Sequence, residues 1–186
     1  PSAYIFESPR QDLLEVIEKQ DITQSKLNLG YQIQCNFTSP FHYAFTVFNA
    51  IFGGFSQSRL FKVVREKHSL CYYVSSSYDA FNGMMIVNAG IEANDYRKTL
   101  HLIGEQLADI QAGHVNNDEL YLAKIMLVNA LKKTNDEAGS IIALAYNRDI
   151  THIRETSEEY IEKLMNVTLE EIVDVAKKVK LDTIYF

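Results

Sequence analysis

The stretch from Phe52 to Val74, FGGFSQSRLFKVVREKHSLCYYV, constrains the fold more than any other part of the sequence. Gly53-Gly54 predicts a helix end, because glycine reaches the left-handed cap conformation without a Cβ clash. Ser56 or Ser58 then caps a second helix, with Leu60, Phe61 and Val64 set to face the core. That helix frays at Lys67-His68-Ser69, and Leu70 to Tyr78, rich in Tyr and Val, reads as a strand. Arg65 therefore sits at a helix end and Tyr72 at the start of the next strand. They are seven residues apart in sequence, and a helix-to-strand junction between them allows them to be close in space.

The flanking sequence supplies partners for this unit. Pro9 to Lys19 reads as a short charged helix with Leu13, Val16 and Ile17 on one side. Lys26 to Asn36 alternates imperfectly and predicts a strand with Leu27, Leu29, Tyr31, Ile33 and Cys35 on one face. Ser39-Pro40 marks a helix start, and Phe41 to Phe52 is apolar nearly all round, as a helix buried on most sides would be. Asn82-Gly83 predicts a hairpin whose return strand, Met84 to Glu92, turns Met85, Val87, Ala89 and Ile91 inward. Helices follow from Asn94 or Asp95 to Gln111 and from the capping box Asn116-x-x-Glu119 to about Lys133. Others are expected over Gly139 to Ile150, from Ser157 to about Met165, and from the box Thr168-x-x-Glu171 to about Lys178. Leu181 to Phe186 closes as a strand. The fold class expected is α+β, an antiparallel-rich sheet with helices packed on one side.

Composition narrows the function. A hydrophobic fraction of 47% supports a substantial core, and a net charge of −6 without any basic block argues against nucleic acid. No apolar run approaches the ~20 residues of a membrane span. Cys35 and Cys71 make neither a disulfide framework nor a metal quartet, and as buried free thiols they favour a reducing, cytoplasmic setting. Ser75-Ser76-Ser77 lacks a nucleophile-elbow pattern, and Gly53-Gly54 lacks the Lys-Ser/Thr of a phosphate loop. The five histidines form no H-x-x-E-H; the nearest approach, His152-Ile-Arg-Glu155-Thr156, has Thr where a second imidazole would be needed. His68 is a loop histidine near Arg65 and Tyr72 in sequence. Read alone, Arg65 is a solvated helix-end residue and Tyr72 a sheet residue.

Gly53, Gly54, Ser58, Arg59, Leu60, Phe61, Arg65, Glu66, Lys67, Leu70 and Tyr72 stand in the order found in the second half of the insulinase/pitrilysin-type (M16) zinc metallopeptidases, and the sequence resembles that half from Gln24 to Phe186. The resemblance implies a zinc-free C-terminal domain over 23–186, with 1–22 as the arm from a preceding half. It implies that Arg65 and Tyr72 reach into a peptide-hydrolysis site on another half or subunit, which would hold the zinc; no cofactor is expected on this segment. The phenol would stabilise negative charge on the carbonyl oxygen, and the guanidinium would hold the peptide backbone. The partners implied are the zinc-bearing half and a peptide substrate, and a homodimer is compatible with this reading. A catalytically inactive scaffold or peptide-binding subunit of the same family is the alternative.

Overall fold

The computed structural model describes residues 12–20, 23–135, 146, 149, 151 and 154–186. Five strands, β1 (Leu14–Val16), β2 (Ser25–Gln32), β3 (Cys71–Asp79), β4 (Met84–Ile91) and β5 (Lys180–Tyr185), form one sheet in the order β1-β5-β2-β4-β3. Only the β1–β5 pair is parallel; the other three are antiparallel. The sheet is built by alternation: Leu27, Leu29 and Tyr31 of β2 stand opposite Ala89, Val87 and Met85 of β4, and all six are buried.

Helices cover that apolar face. α1 (His42–Asn49) continues as a π-wound turn, Ala50–Gly54, and a second π-wound helix spans Phe61–Lys67. α2 (Tyr96–Gln111), α3 (Asn117–Asn135), α4 (Ser157–Asn166) and α5 (Leu169–Ala176) complete the layer. The run from α1 is apolar all round because it lies between sheet and helices. Phe45, Phe48 and Phe52 are fully buried, and Phe48 stacks on Phe52 with ring centroids 5.6 Å apart. Each such ring contributes roughly 1.5–3 kcal/mol by burial. The α+β, antiparallel-rich arrangement expected from the sequence is the one observed.

Most local signals are realised. Asn116 and Glu119 exchange hydrogen bonds (2.9 and 3.2 Å), as do Thr168 and Glu171 (3.2 and 2.8 Å). Gly83 and Gly113 take positive φ (64° and 85°), at the hairpin and after α2 respectively. Of the two serine caps, Ser58 is the one used: its Oγ accepts from the Phe61 N–H at 3.4 Å.

Five expectations are corrected. Residues 14–16 form an edge strand on β5, not part of a helix; every residue of 12–20 is exposed, so no apolar face was buried to support a helix. Gly53-Gly54 ends the helix without positive φ. Gly53 is instead required by close packing: a Cβ there would lie 2.6 Å from Ser76 Oγ, 2.8 Å from the Ser76 backbone N and 2.9 Å from Leu60 Cδ1. Phe61 is only partly buried, whereas Leu60 and Val64 are fully so. The cap of α4 is Thr156, not Ser157, with Glu159 closing the capping box. Cys35, though buried, lies beyond the end of β2. The helix expected over Gly139 to Ile150 lies almost wholly outside the described residues.

Candidate functional site

The π-wound helix Phe61–Lys67 presents Arg65 on its exposed side. The guanidinium lies over the Phe61 ring, 4.6 Å from its centroid, which holds the arm along the helix surface. The helix closes with a wide turn: the His68 N–H reaches the Val63 carbonyl at 3.1 Å and the Leu70 N–H reaches that of Val64 at 3.1 Å. Ser69 takes φ of 53°, an uncommon left-handed conformation for a residue other than glycine. The chain then enters β3 through a bulge. Cys71 pairs with Ile91 and Tyr73 with Gly90, so Tyr72 is the extra residue on β3.

The bulge has a direct consequence for side-chain direction. Regular alternation would turn one of two neighbouring residues inward, yet Tyr72 and Tyr73 are 60% and 42% exposed in succession. Tyr73 lies across Gly90, where a Cβ would stand 2.5 Å from its Cε1 and 2.7 Å from Gln24 Nε2. Gly90 is thus the space into which the ring packs. The Tyr72 phenol donates to Glu92 Oε1 at 2.6 Å, and acceptance by that carboxylate raises the phenol's pKa. Burial pushes the Cys71 thiol up to about 11, with the Arg65 charge opposing it, so Cys71 is a protonated packing residue.

Arg65 and Tyr72 therefore occupy adjoining packed elements, both exposed, but they are not partners of each other. Arg65 is engaged with Phe61 and Tyr72 with Glu92. His68, half-buried at the helix end, has its backbone amide in the closing turn. Glu92 and Tyr73 carry no signal in the sequence, since both gain their positions from the β3–β4 register.

A second polar constellation lies on the helical side. A cleft of about 840 Å³ is lined by Phe37, His42, Tyr43, Tyr78, Glu155 and Tyr160, among others. His42 Nδ1 is 3.1 Å from the Tyr78 Oη, which is 3.4 Å from Cys35 Sγ. Burial lowers the His42 pKa to about 4 against the pull of Glu155, so the ring is neutral. Glu155 accepts from the Tyr43 hydroxyl at 2.9 Å and pairs with Lys163 at 2.7 Å. These groups satisfy one another, as buried polar groups must.

The described histidines of this chain are not grouped to hold zinc. His42 is buried against Tyr78, while His101 and His114 are exposed beside Glu105 and Asp109. Among the described residues no group of three or more His, Cys, Asp or Glu is placed to hold a metal ion. Nor is any described helix long and apolar enough to cross a membrane.

The sequence profile described as "Peptidase M16 inactive domain" matches residues 5–127. The chain belongs to the M16 peptidase family. This M16 half is 35% identical over 172 residues to a protein of Bacillus subtilis named "Probable inactive metalloprotease YmfF", covering 92% of this chain and 40% of that one. A crystal structure of a conserved protein from Enterococcus faecalis superposes with a TM-score of 0.92 at 36% identity, covering 99% of this chain and 44% of the other. The M16 inactive domain from Pseudomonas fluorescens shares the fold, with a TM-score of 0.76 at 20% identity over 93% of this chain and 42% of the other. The chain thus spans less than half the length of these relatives. It matches the family's inactive peptidase domain, and its sequence contains no H-x-x-E-H.

Proposed function

We propose that this M16 half forms one wall of a peptidase chamber and lends Arg65 and Tyr72 to a hydrolytic site on another half or subunit. The observation that carries this reading is that three backbone departures coincide in the one span that also exposes Arg65 and Tyr72. A π-wound helix, a left-handed Ser69 and a bulge at Tyr72 all fall between Phe61 and Tyr73, the span that holds both residues. Such departures cost energy and concentrate where a side chain must be aimed. Two aromatic side chains kept exposed beside an exposed guanidinium give the stretch the character of a contact surface rather than a core.

In this reading a peptide lies as an extended strand between the halves. The Arg65 guanidinium holds a backbone carbonyl, and the Tyr72 phenol donates to the carbonyl oxygen as it gains charge, an interaction worth ~3–4 kcal/mol. A zinc held by the partner would supply the activation of water. Residues 1–22 serve as the arm from the preceding half, and the two buried free thiols suit a reducing, cytoplasmic setting. Tyr72→Phe in the complete protein then leaves folding intact and lowers turnover of a quenched fluorescent peptide library ~100-fold or more. Unchanged, chelator-sensitive turnover refutes the assignment.

The name of the Bacillus subtilis relative, a probable inactive metalloprotease, favours a second reading. Here the complete protein binds peptide or scaffolds an assembly without cleaving. Peptide affinity with no chelator-sensitive turnover in the folded, zinc-supplemented protein identifies it.

A further inference from the structure

A phenol has one hydrogen to give, and Tyr72 gives it to Glu92 Oε1 at 2.6 Å. An oxyanion donor gives the same hydrogen to the substrate oxygen. The two acceptors exclude each other. We propose that Glu92 is a competing acceptor that restrains Tyr72, engaging the phenol's hydrogen bond until a substrate oxygen displaces it. This rests on the reading of Tyr72 as an oxyanion donor.

The geometry suits a contact that is made and then exchanged. Glu92 directly follows β4, one residue beyond Ile91, which pairs with Cys71 next to the bulge. Its backbone is fixed because its carbonyl accepts the Asp95 N–H at 3.0 Å, where a 3₁₀ turn leads into α2. The bulge, in turn, fixes Tyr72. Carboxylate and phenol are thus carried on two rigid strand ends, yet both residues are exposed, so the ring can leave Glu92 without disturbing the core. Of the charged groups on the packed elements, Glu92 acts on the phenol itself, while Arg65 of the π-wound helix acts on the neighbouring Cys71. A hydrogen bond to a carboxylate is roughly twice as strong as one to a neutral acceptor. Glu92 is therefore a strong competitor for the hydrogen, and an amide in its place is a weaker one.

The test is Glu92→Gln in the complete protein, alone and in a Tyr72→Phe background, with a quenched fluorescent peptide library as substrate. The variant is isosteric and exposed, so folding, checked by circular dichroism, is retained. With Tyr72 present, turnover rises on the order of 3- to 10-fold, because the substrate displaces a weaker acceptor. In the Tyr72→Phe background the same change has no effect. Spectroscopic titration by difference against Tyr72→Phe shows the Tyr72 phenol ionising at lower pH in Glu92→Gln than in the wild type. An unmoved titration overturns the proposal, as does a fall in turnover or an equal change in both backgrounds. If neither wild type nor Glu92→Gln cleaves any peptide, the hydrolytic reading itself has failed; the titration still decides whether Glu92 holds the hydrogen.

Discussion

Replacing Gly53 by Ala tests whether the helix-to-β3 contact sets the position of the Arg65–Tyr72 segment. Three atoms crowd the new methyl: Ser76 Oγ at 2.6 Å, the Ser76 backbone N at 2.8 Å and Leu60 Cδ1 at 2.9 Å. Leu60 can shift a terminal methyl, but the Ser76 nitrogen moves only with β3. Ser76 Oγ also cannot yield freely, because it donates to Asn49 Oδ1 at 2.7 Å. Overpacking of this kind costs about 1–3 kcal/mol, and loss of a buried hydrogen bond about 1–3 kcal/mol more. Against that stands the helix preference for Ala over Gly, about 1 kcal/mol. The net expectation is destabilisation by roughly 3 kcal/mol, or ~6–12 °C in the melting temperature of a domain this size. Gly104 is the internal control. It is exposed within α2, and a Cβ added there would meet nothing within 4 Å, so Gly104→Ala stabilises by about 0.5–1 kcal/mol. Urea and thermal unfolding of the two variants read both signs. A Gly53→Ala protein as stable as Gly104→Ala refutes the close-approach explanation of Gly53.

Two further expectations concern buried polar groups. His42 ionises near 6.5 when unfolded and only near about 4 when folded, because burial disfavours its charge. Between those values the unfolded state binds more protons, so stability is complete above about pH 6.5 and declines as pH falls toward 4, by on the order of 3 kcal/mol. His42→Gln flattens that limb of a stability-versus-pH curve, and an unchanged slope refutes the assignment. Thr99, fully buried in α2, has a hydroxyl that is the unpartnered buried side-chain polar atom among the described residues. Thr99→Val removes it at nearly constant shape and raises the urea midpoint by an equivalent of about 1 kcal/mol; a lower midpoint refutes this.

What is legible in the sequence divides by range. Signals contained within a few residues can be read directly: the boxes Asn116/Glu119 and Thr168/Glu171, the Asn82-Gly83 hairpin, and the alternation that places Leu27, Leu29 and Tyr31 inward. Features set by a partner element cannot. The bulge at Tyr72 exists only in the register of β3 against β4, so the exposure of two successive tyrosines and the contact with Glu92 have no local signature. Gly53 reads as a cap because the glycine pair ends a helix; its true constraint, Ser76, lies on another element. Residues 14–16 carry a weak helical pattern, but β5 offers an edge with which they pair. Arg65 and Tyr72 are legible only through the family's spacing, since neither residue type is distinctive on its own.

The strand order sets two edges of the sheet far apart. β1 and β5 share one edge of the sheet, tied further by hydrogen bonds between Val16, Glu18 and Phe186. β3, with Tyr72, forms the other edge, four strand spacings or about 19 Å away. The two edges are nevertheless linked, because Tyr96, which opens α2 just after the turn that holds Glu92, donates its hydroxyl hydrogen to Glu15 of β1.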